Sequence, residues 1–415
     1  MPIVHRLVLL LSFLLVSPAL AQPLPRVVPE AVGLSAERLE RLTQAFQNDI
    51  EKGAIPGVVM AVARHGKLAY WNALGFRDRA ANAPMTSEAI FRIYSMTKPF
   101  VSVGVMMLVE EGKVVLGAPV STYLPALSKL KVGSEKADAL GKQELVFETA
   151  KREMTVQDLL RHTSGLTYGV FGRSLVKQLY NDSKTMDVAQ TNAEMVDKLA
   201  KLPLAYEPGT RWEYSMSTDV LGALIEAVSG VTLDRFLAER IFKPLGMADS
   251  GFSVAPEKHG RIAEPGLEGP PPGKAPQLID IRKPPRWLSG GGGGVGTAGD
   301  YVRFAQMLLD GGELGEARLL GRKTVELMAA DHLGPMPGMA PGYGFGLGFG
   351  VRREIGIANV PGSVGEYFWS GFGGTAFWID PQERLVAVLM MQNVQDRNHY
   401  RRLFQTLVMQ ALIGR

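Results

Sequence analysis

Tyr94-Ser95-Met96-Thr97-Lys98-Pro99-Phe100 opens an apolar stretch that runs on to Glu111, with Gly112 behind it. The spacing predicts a helix starting near Ser95, with Gly112 in the position just past its end where a left-handed residue stops a helix. Pro99 is tolerated because it lies close to the helix start. On such a helix Lys98 stands one turn beyond Ser95, on the same face. A serine hydroxyl is a poor nucleophile until a neighbour takes its proton. A lysine can take it, or assist, once burial and other cations lower its pKa from about 10.4. The helix N-terminus also supplies backbone N–H groups for an oxyanion. The same seven residues therefore mark a central helix and a candidate nucleophile, Ser95, with its candidate base, Lys98.

Working outward, Gly57 to Ala63 reads as an apolar strand, His65-Gly66 as a turn and Leu68 to Leu74 as the returning strand. Before them Leu34, Leu39, Leu42, Phe46 and Ile50 recur at helical spacing, with Ser35 as N-cap. From Gly112 to about Phe252 the pattern is mostly helical, with polar connections around 128–152 and 180–190. Residues 256–285 carry eight prolines, three of them at 270–272, and read as a connection. Gly290 to Gly294 follow, then a helical segment from Asp300 to Leu309. Thr375 to Ile379 and Leu385 to Met391 read as paired strands, and Leu403 to Leu412 as a last amphipathic helix. Strands at both ends and helices between them predict a mixed α/β chain of the α+β kind. Its antiparallel sheet is flanked by N- and C-terminal helices, and an all-helical region is inserted. The expected partition is 22–95 with 286–415 for the sheet domain and 96–285 for the mostly helical one, including the Pro/Gly-rich connection at 256–285.

Composition narrows the chemistry. The 415 residues are 46% apolar and 21% charged, as in a folded protein. Cysteine is absent, which excludes disulfides, thiolate metal sites and a cysteine nucleophile. The net charge of +4 comes without a Lys/Arg-rich run, so no nucleic-acid partner is expected. The six histidines form no ligand pair, so no metal is expected either. At the N-terminus, Leu7 to Val16 is an apolar run too short to span a bilayer, and Ala19-Leu20-Ala21 suits signal-peptide cleavage. The reading is a signal peptide over 1–21 cleaved after Ala21, a periplasmic or secreted destination, and no integral membrane segment afterwards.

Two further stretches carry chemistry. Trp212-Glu213-Tyr214-Ser215-Met216 places a tyrosine before a helix, and beside an ammonium its phenol could be held partly as phenolate and shuttle a proton. Phe368-Trp369-Ser370-Gly371-Phe372-Gly373-Gly374-Thr375 is a strand edge of small residues whose N–H groups can approach a ligand closely. Other patterns mislead. Gly291 to Gly296 formally fits a dinucleotide fingerprint, but Pro284-Pro285 precede it rather than a strand. No G-x-S-x-G occurs, which removes an α/β-hydrolase elbow. His162 reads as a structural residue at a helix end.

In this order, the three stretches resemble those of the serine β-lactamase/penicillin-binding-protein superfamily, class C-like branch, over nearly all of residues 30–412. "LLRHTSGL", "EPGTRWEYS" and "GGGGVGTAGDYVRFAQMLLDGGEL" add to the likeness. The resemblance implies a cleft between the sheet and the helical region. It also implies Ser95 as acylated nucleophile, Lys98 and Tyr214 as base and then acid, and the N–H groups of Ser95 and Phe372 as oxyanion hole. No cofactor is implied. Two departures are specific. Met216 stands where β-lactam-processing members place Asn, and Trp369-Ser370-Gly371 stands where they place Lys-Thr-Gly or its His variant. Both look like the carboxylesterase branch, family VIII, in which Trp-x-Gly is usual. Trp369, Gly371 and Met216 are therefore the expected substrate-binding residues. A short-chain carboxylic ester is the expected small-molecule substrate. The alternatives are a β-lactamase or DD-peptidase, and a non-catalytic peptidoglycan- or β-lactam-binding protein. Oligomeric state is left open.

Overall fold

The computed structural model describes residues 24–137, 141–266 and 278–414. The expected signal peptide, its cleavage site and the prolines at 270–272 lie outside them. Eight antiparallel strands make the main sheet: β1 (Gly57–Arg64), β2 (Lys67–Asp78), β3 (Ala83–Pro84), β4 (Tyr343–Phe345), β5 (Gly350–Arg352), β6 (Tyr367–Ser370), β7 (Ala376–Asp380) and β8 (Leu385–Met391). Their order is β4-β5-β6-β7-β8-β1-β2-β3, so the two ends of the chain meet where β8 pairs with β1, Val58 opposite Met391. The β1–β2 turn is His65-Gly66, both residues at positive φ (52° and 72°), as a two-residue hairpin of matching twist requires.

Five helices position the site: α1 (Ala36–Glu51), α2 (Thr97–Glu110), α3 (Ser217–Ser229), α4 (Ala298–Leu309) and α5 (Arg397–Met409). The side-chain alternation of β1 sorts them. Val58, Met60 and Val62 meet Leu42 and Phe46 of α1 and Phe404 and Val408 of α5, while Val59, Ala61 and Ala63 belong to the larger core with α2 and α4. β1 is buried on both faces, which explains its unbroken apolar run. α2 is enclosed almost all round, its Phe100 ring packed on Phe242, Tyr301 and Phe304. Ser35 caps α1 by accepting the Arg38 N–H.

The middle of the chain differs from expectation in one place. Residues 128–152 are more than a polar connection, because Lys131–Ala137 and Gln143–Thr149 form a two-stranded hairpin. Most of its side chains face water and only Gly133 is buried, while Val132 and Leu145 rest partly buried on the larger core. Backbone pairing, including the Gly133 N–H to the Leu204 carbonyl, and these two contacts hold it, and it leaves no regular apolar period in the sequence.

Candidate active site

Ser95 sits on a corner. The short strand Phe91–Arg92 ends, Tyr94 takes a left-handed conformation (φ 45°), and a single turn, Tyr94–Met96, leads into α2. Bulky residues rarely adopt that conformation, so the surroundings must hold it. They do so from three sides. The Tyr94 ring lies edge-on to Phe372 at 5.6 Å, and its hydroxyl accepts the Ile279 N–H at 3.3 Å. Thr97 Oγ1 donates to the Tyr94 carbonyl at 2.6 Å and accepts the Gly294 N–H at 2.9 Å.

Three of the expected residues meet at this corner. The Tyr214 hydroxyl stands 2.6 Å from Ser95 Oγ, and Lys98 Nζ stands 3.5 Å from the same oxygen. Lys98 is 1% exposed. Its ammonium also donates to the Gly291 carbonyl (2.6 Å) and the Tyr168 hydroxyl (3.2 Å), and lies 4.6 Å from the centroid of the Tyr214 ring. That contact favours the cation over the ring face. Among the described residues no carboxylate forms an ion pair with Lys98, but one lies a hydrogen bond further on. The Tyr168 hydroxyl donates to Asp219 Oδ2 at 3.2 Å. Asp219 Oδ1 accepts from Ser289 Oγ at 2.6 Å and the Gly291 N–H at 3.0 Å. Burial, the Asp219 carboxylate and Tyr214 push the Tyr168 phenol well above its ordinary value, so it stays protonated and links the carboxylate to the ammonium. Gly291 is required here, since a Cβ would stand 2.4 Å from Asp219 Oδ2 and 2.7 Å from the Tyr168 hydroxyl.

The wall around this chain is aromatic. Tyr168, Phe171, Trp212 and Trp369 all have ring centroids within 6.0 Å of Tyr214. His162, at the end of a short helix and at φ 56°, adds its ring at 5.1 Å. Burial, reinforced by Lys98, holds its imidazole well below the usual histidine range, so it stands there neutral. Its Nδ1 meets Ser215 Oγ at 3.2 Å, the first of three buried serine hydroxyls behind Tyr214. The structural role read for His162 is compatible with this, although its ring borders the site.

The third stretch closes the other side. Trp369, near the end of β6, packs on Tyr214 at 5.4 Å and edge-on to Phe345 at 5.2 Å. Gly371 brings the strand edge against the Ser95 corner, where a Cβ would lie 2.2 Å from the Ile93 carbonyl. Phe372 is 42% exposed. Among the described residues neither the Ser95 nor the Phe372 N–H has a protein acceptor. Met216 requires a correction. It is 0% exposed, packed in the core just before α3, and offers no surface to a substrate. It is the N-cap residue of α3, so the start of that helix sets the direction of its side chain.

Tyr168, Phe171, Asp219 and Gly291 were not singled out as functional from the sequence. Asp219 lies in the first turn of α3, where an acidic residue is ordinary helix chemistry. Gly291 acts through backbone atoms, which leave no residue signature. The relay has a test. Asp219→Asn keeps the size and removes the charge, and is expected to lower kcat/KM about tenfold, the equivalent of about 1.4 kcal/mol. Unchanged kcat/KM in a variant of unchanged Tm would remove the carboxylate from the proton chain. Among the described residues no cluster of three His, Asp or Glu side chains could hold a metal.

The chain as a whole is similar to known proteins. The family described as Beta-lactamase matches residues 42–409. Esterase EstB of Burkholderia gladioli is 33% identical over 387 residues, covering 88% of this chain and 93% of its own. Lovastatin esterase of Penicillium rubens is 26% identical over 375 residues, covering 84% and 92%. Among solved structures, EstCE1, described as a hydrolase with promiscuous acyltransferase activity, superposes with a TM-score of 0.73. It is 27% identical and the match covers 89% of this chain and 98% of that one.

Proposed function

The chain belongs to the beta-lactamase family of serine hydrolases, and from that premise we propose that it is a carboxylesterase acting on short, uncharged esters through an acyl-enzyme on Ser95. One observation carries the reading: Ser95 Oγ lies 2.6 Å from the Tyr214 hydroxyl and 3.5 Å from a buried lysine. In the proposed reaction Lys98 and Tyr214 together accept the Ser95 proton as Oγ attacks the acyl carbonyl. The Ser95 and Phe372 N–H groups hold the oxyanion, a contribution typically worth about 3 kcal/mol per donor. The proton passes to the departing alcohol, and water or another acceptor then attacks the acyl-enzyme by the reverse route. The esterase names of two relatives support this direction.

The aromatic wall supports the choice of substrate. Trp369 presents an indole where β-lactam-processing members of the family place a cation, so a carboxylate-bearing substrate would lose water at that position without gaining a partner from it. An acyl chain loses nothing comparable and can pack on Trp369 and Phe372. We expect kcat/KM for p-nitrophenyl butyrate to exceed that for nitrocefin or any penicillin by at least about 10²-fold, since ~2.7 kcal/mol of lost pairing corresponds to that factor. Parallel turnover of p-nitrophenyl acetate and butyrate, nitrocefin and a D-Ala-D-Ala peptide measures it. Nitrocefin opened as fast as the ester is cleaved would overturn the esterase reading in favour of a β-lactamase.

A further inference from the structure

The peptide bond between Gly371 and Phe372 is gripped by an arginine that the proton chain does not use. Arg401, on α5, donates through Nη2 to the Gly371 carbonyl and through Nη1 to Asn398 Oδ1 at 3.0 Å. The same carbonyl accepts the Gly374 N–H at 3.1 Å. One helical turn earlier Arg397 stands 4.9 Å over the Phe372 ring. Two cations of one helix therefore hold both halves of the dipeptide, one at its carbonyl and one at its ring.

Arg401 is out of place as a packing residue. Its Nε is buried without a partner, and among the described residues no carboxylate forms an ion pair with it. Burial and the neighbouring Arg397 pull its guanidinium down to about 10, so it still carries its charge at neutral pH. Keeping an unpaired charge half-buried is costly unless the charge has work to do. A trans peptide is planar, with its C=O and N–H pointing in opposite directions. Fixing the Gly371 carbonyl therefore fixes the direction of the Phe372 N–H on the other edge of the same plane. A cation on that oxygen also draws electron density from the amide, which strengthens its N–H as a donor, as linked hydrogen bonds polarise one another.

We propose that Arg401 is a positioning residue of the oxyanion site, orienting and polarising the Gly371–Phe372 peptide so that the Phe372 N–H meets the developing oxyanion. The proposal rests on the reading of the Phe372 N–H as an oxyanion donor and adds the device that aims it. Arg401 itself touches no reacting atom.

The test uses the whole chain with Arg401→Met and Arg401→Lys. Wild type is first treated with a fluorophosphonate, and an adduct on Ser95 with ester turnover establishes the acyl-enzyme. Three readouts follow: kcat and KM for p-nitrophenyl butyrate, affinity for a trifluoromethyl ketone that mimics the tetrahedral state, and the infrared carbonyl stretch of the acyl-enzyme. Removing an oxyanion donor costs 10²–10³-fold, so weakening one should cost about tenfold in Arg401→Met, in kcat and in ketone affinity alike, with KM changed less than about twofold. The carbonyl stretch should move to higher wavenumber, and Arg401→Lys should recover most of each loss. Should Arg401→Met not fold, Arg401→Gln, a neutral donor, carries the same comparison. A loss confined to KM, an unmoved carbonyl band, or a lysine variant no better than methionine would overturn the positioning role while leaving the esterase intact. A wild type that neither labels nor turns over would bring down both.

Discussion

Ser95→Ala is expected to lower kcat for p-nitrophenyl butyrate by at least about 10⁴-fold, because removing the nucleophile of such a unit leaves only binding and the oxyanion donors. The same substitution should abolish labelling by a fluorophosphonate, which in wild type should add one adduct to the peptide containing Ser95. The expectation follows from how the hydroxyl is held. Tyr94, at a positive φ, turns Ser95 out of the chain at the start of α2, and the Tyr214 hydroxyl and Lys98 ammonium converge on its Oγ. The Ser164, Ser215 and Ser217 hydroxyls are bonded to one another or to neutral His162, but all three are buried and offer a substrate no surface to approach. The variant should fold, since the Ser95 side chain bonds only to the two groups it reacts with. An adduct mapped elsewhere, or full activity in Ser95→Ala, would sink the assignment.

What could be read from the sequence follows from how each part is encoded. The strands beside the chain ends and the helices packed on them were legible because burial on both faces leaves an unbroken apolar run over Val58–Val62, and burial on one face leaves a period of about 3.6 over Leu39–Ile50. The hairpin at 131–149 was not, because exposed strands need no apolar period. Ser95 and Lys98 were legible as a local pair on one helix. Tyr168 and Asp219 were not, because they come from separate segments and become one chain only when α3 and the 162–170 loop pack beside α2. Met216 shows the opposite error. A motif position carried over from relatives said where a residue stands in the chain, and the helix that begins at Ser217 decided which way it faces. Arg401 lies 30 residues beyond Gly371 and reaches it only because α5 packs along the sheet.

Lys98→Ala and Tyr214→Phe are each expected to lower kcat by about 10²-fold or more, in keeping with what a positioned acid or base contributes. The double variant should then lose far less than the product of the two. The reason is physical coupling. A tyrosine oxygen can act as a base near neutral pH only if a cation stabilises its phenolate, and Lys98 Nζ stands 4.6 Å from that ring's centroid. The ammonium in turn is enclosed, with neutral oxygens as its hydrogen-bond partners, so a phenolate beside it would supply the missing counter-charge. Neutral His162 does not supply a second cation there. Each member therefore depends on the other for the proton transfer, so removing one disables the pair and removing both adds little. Single and double variants measured with p-nitrophenyl butyrate across pH 5 to 10 decide the matter, with the Ser95 adduct as a check that the nucleophile is still accessible. Losses that multiply would mean that Lys98 and Tyr214 act independently, and the proton would then have to be assigned to one of them alone.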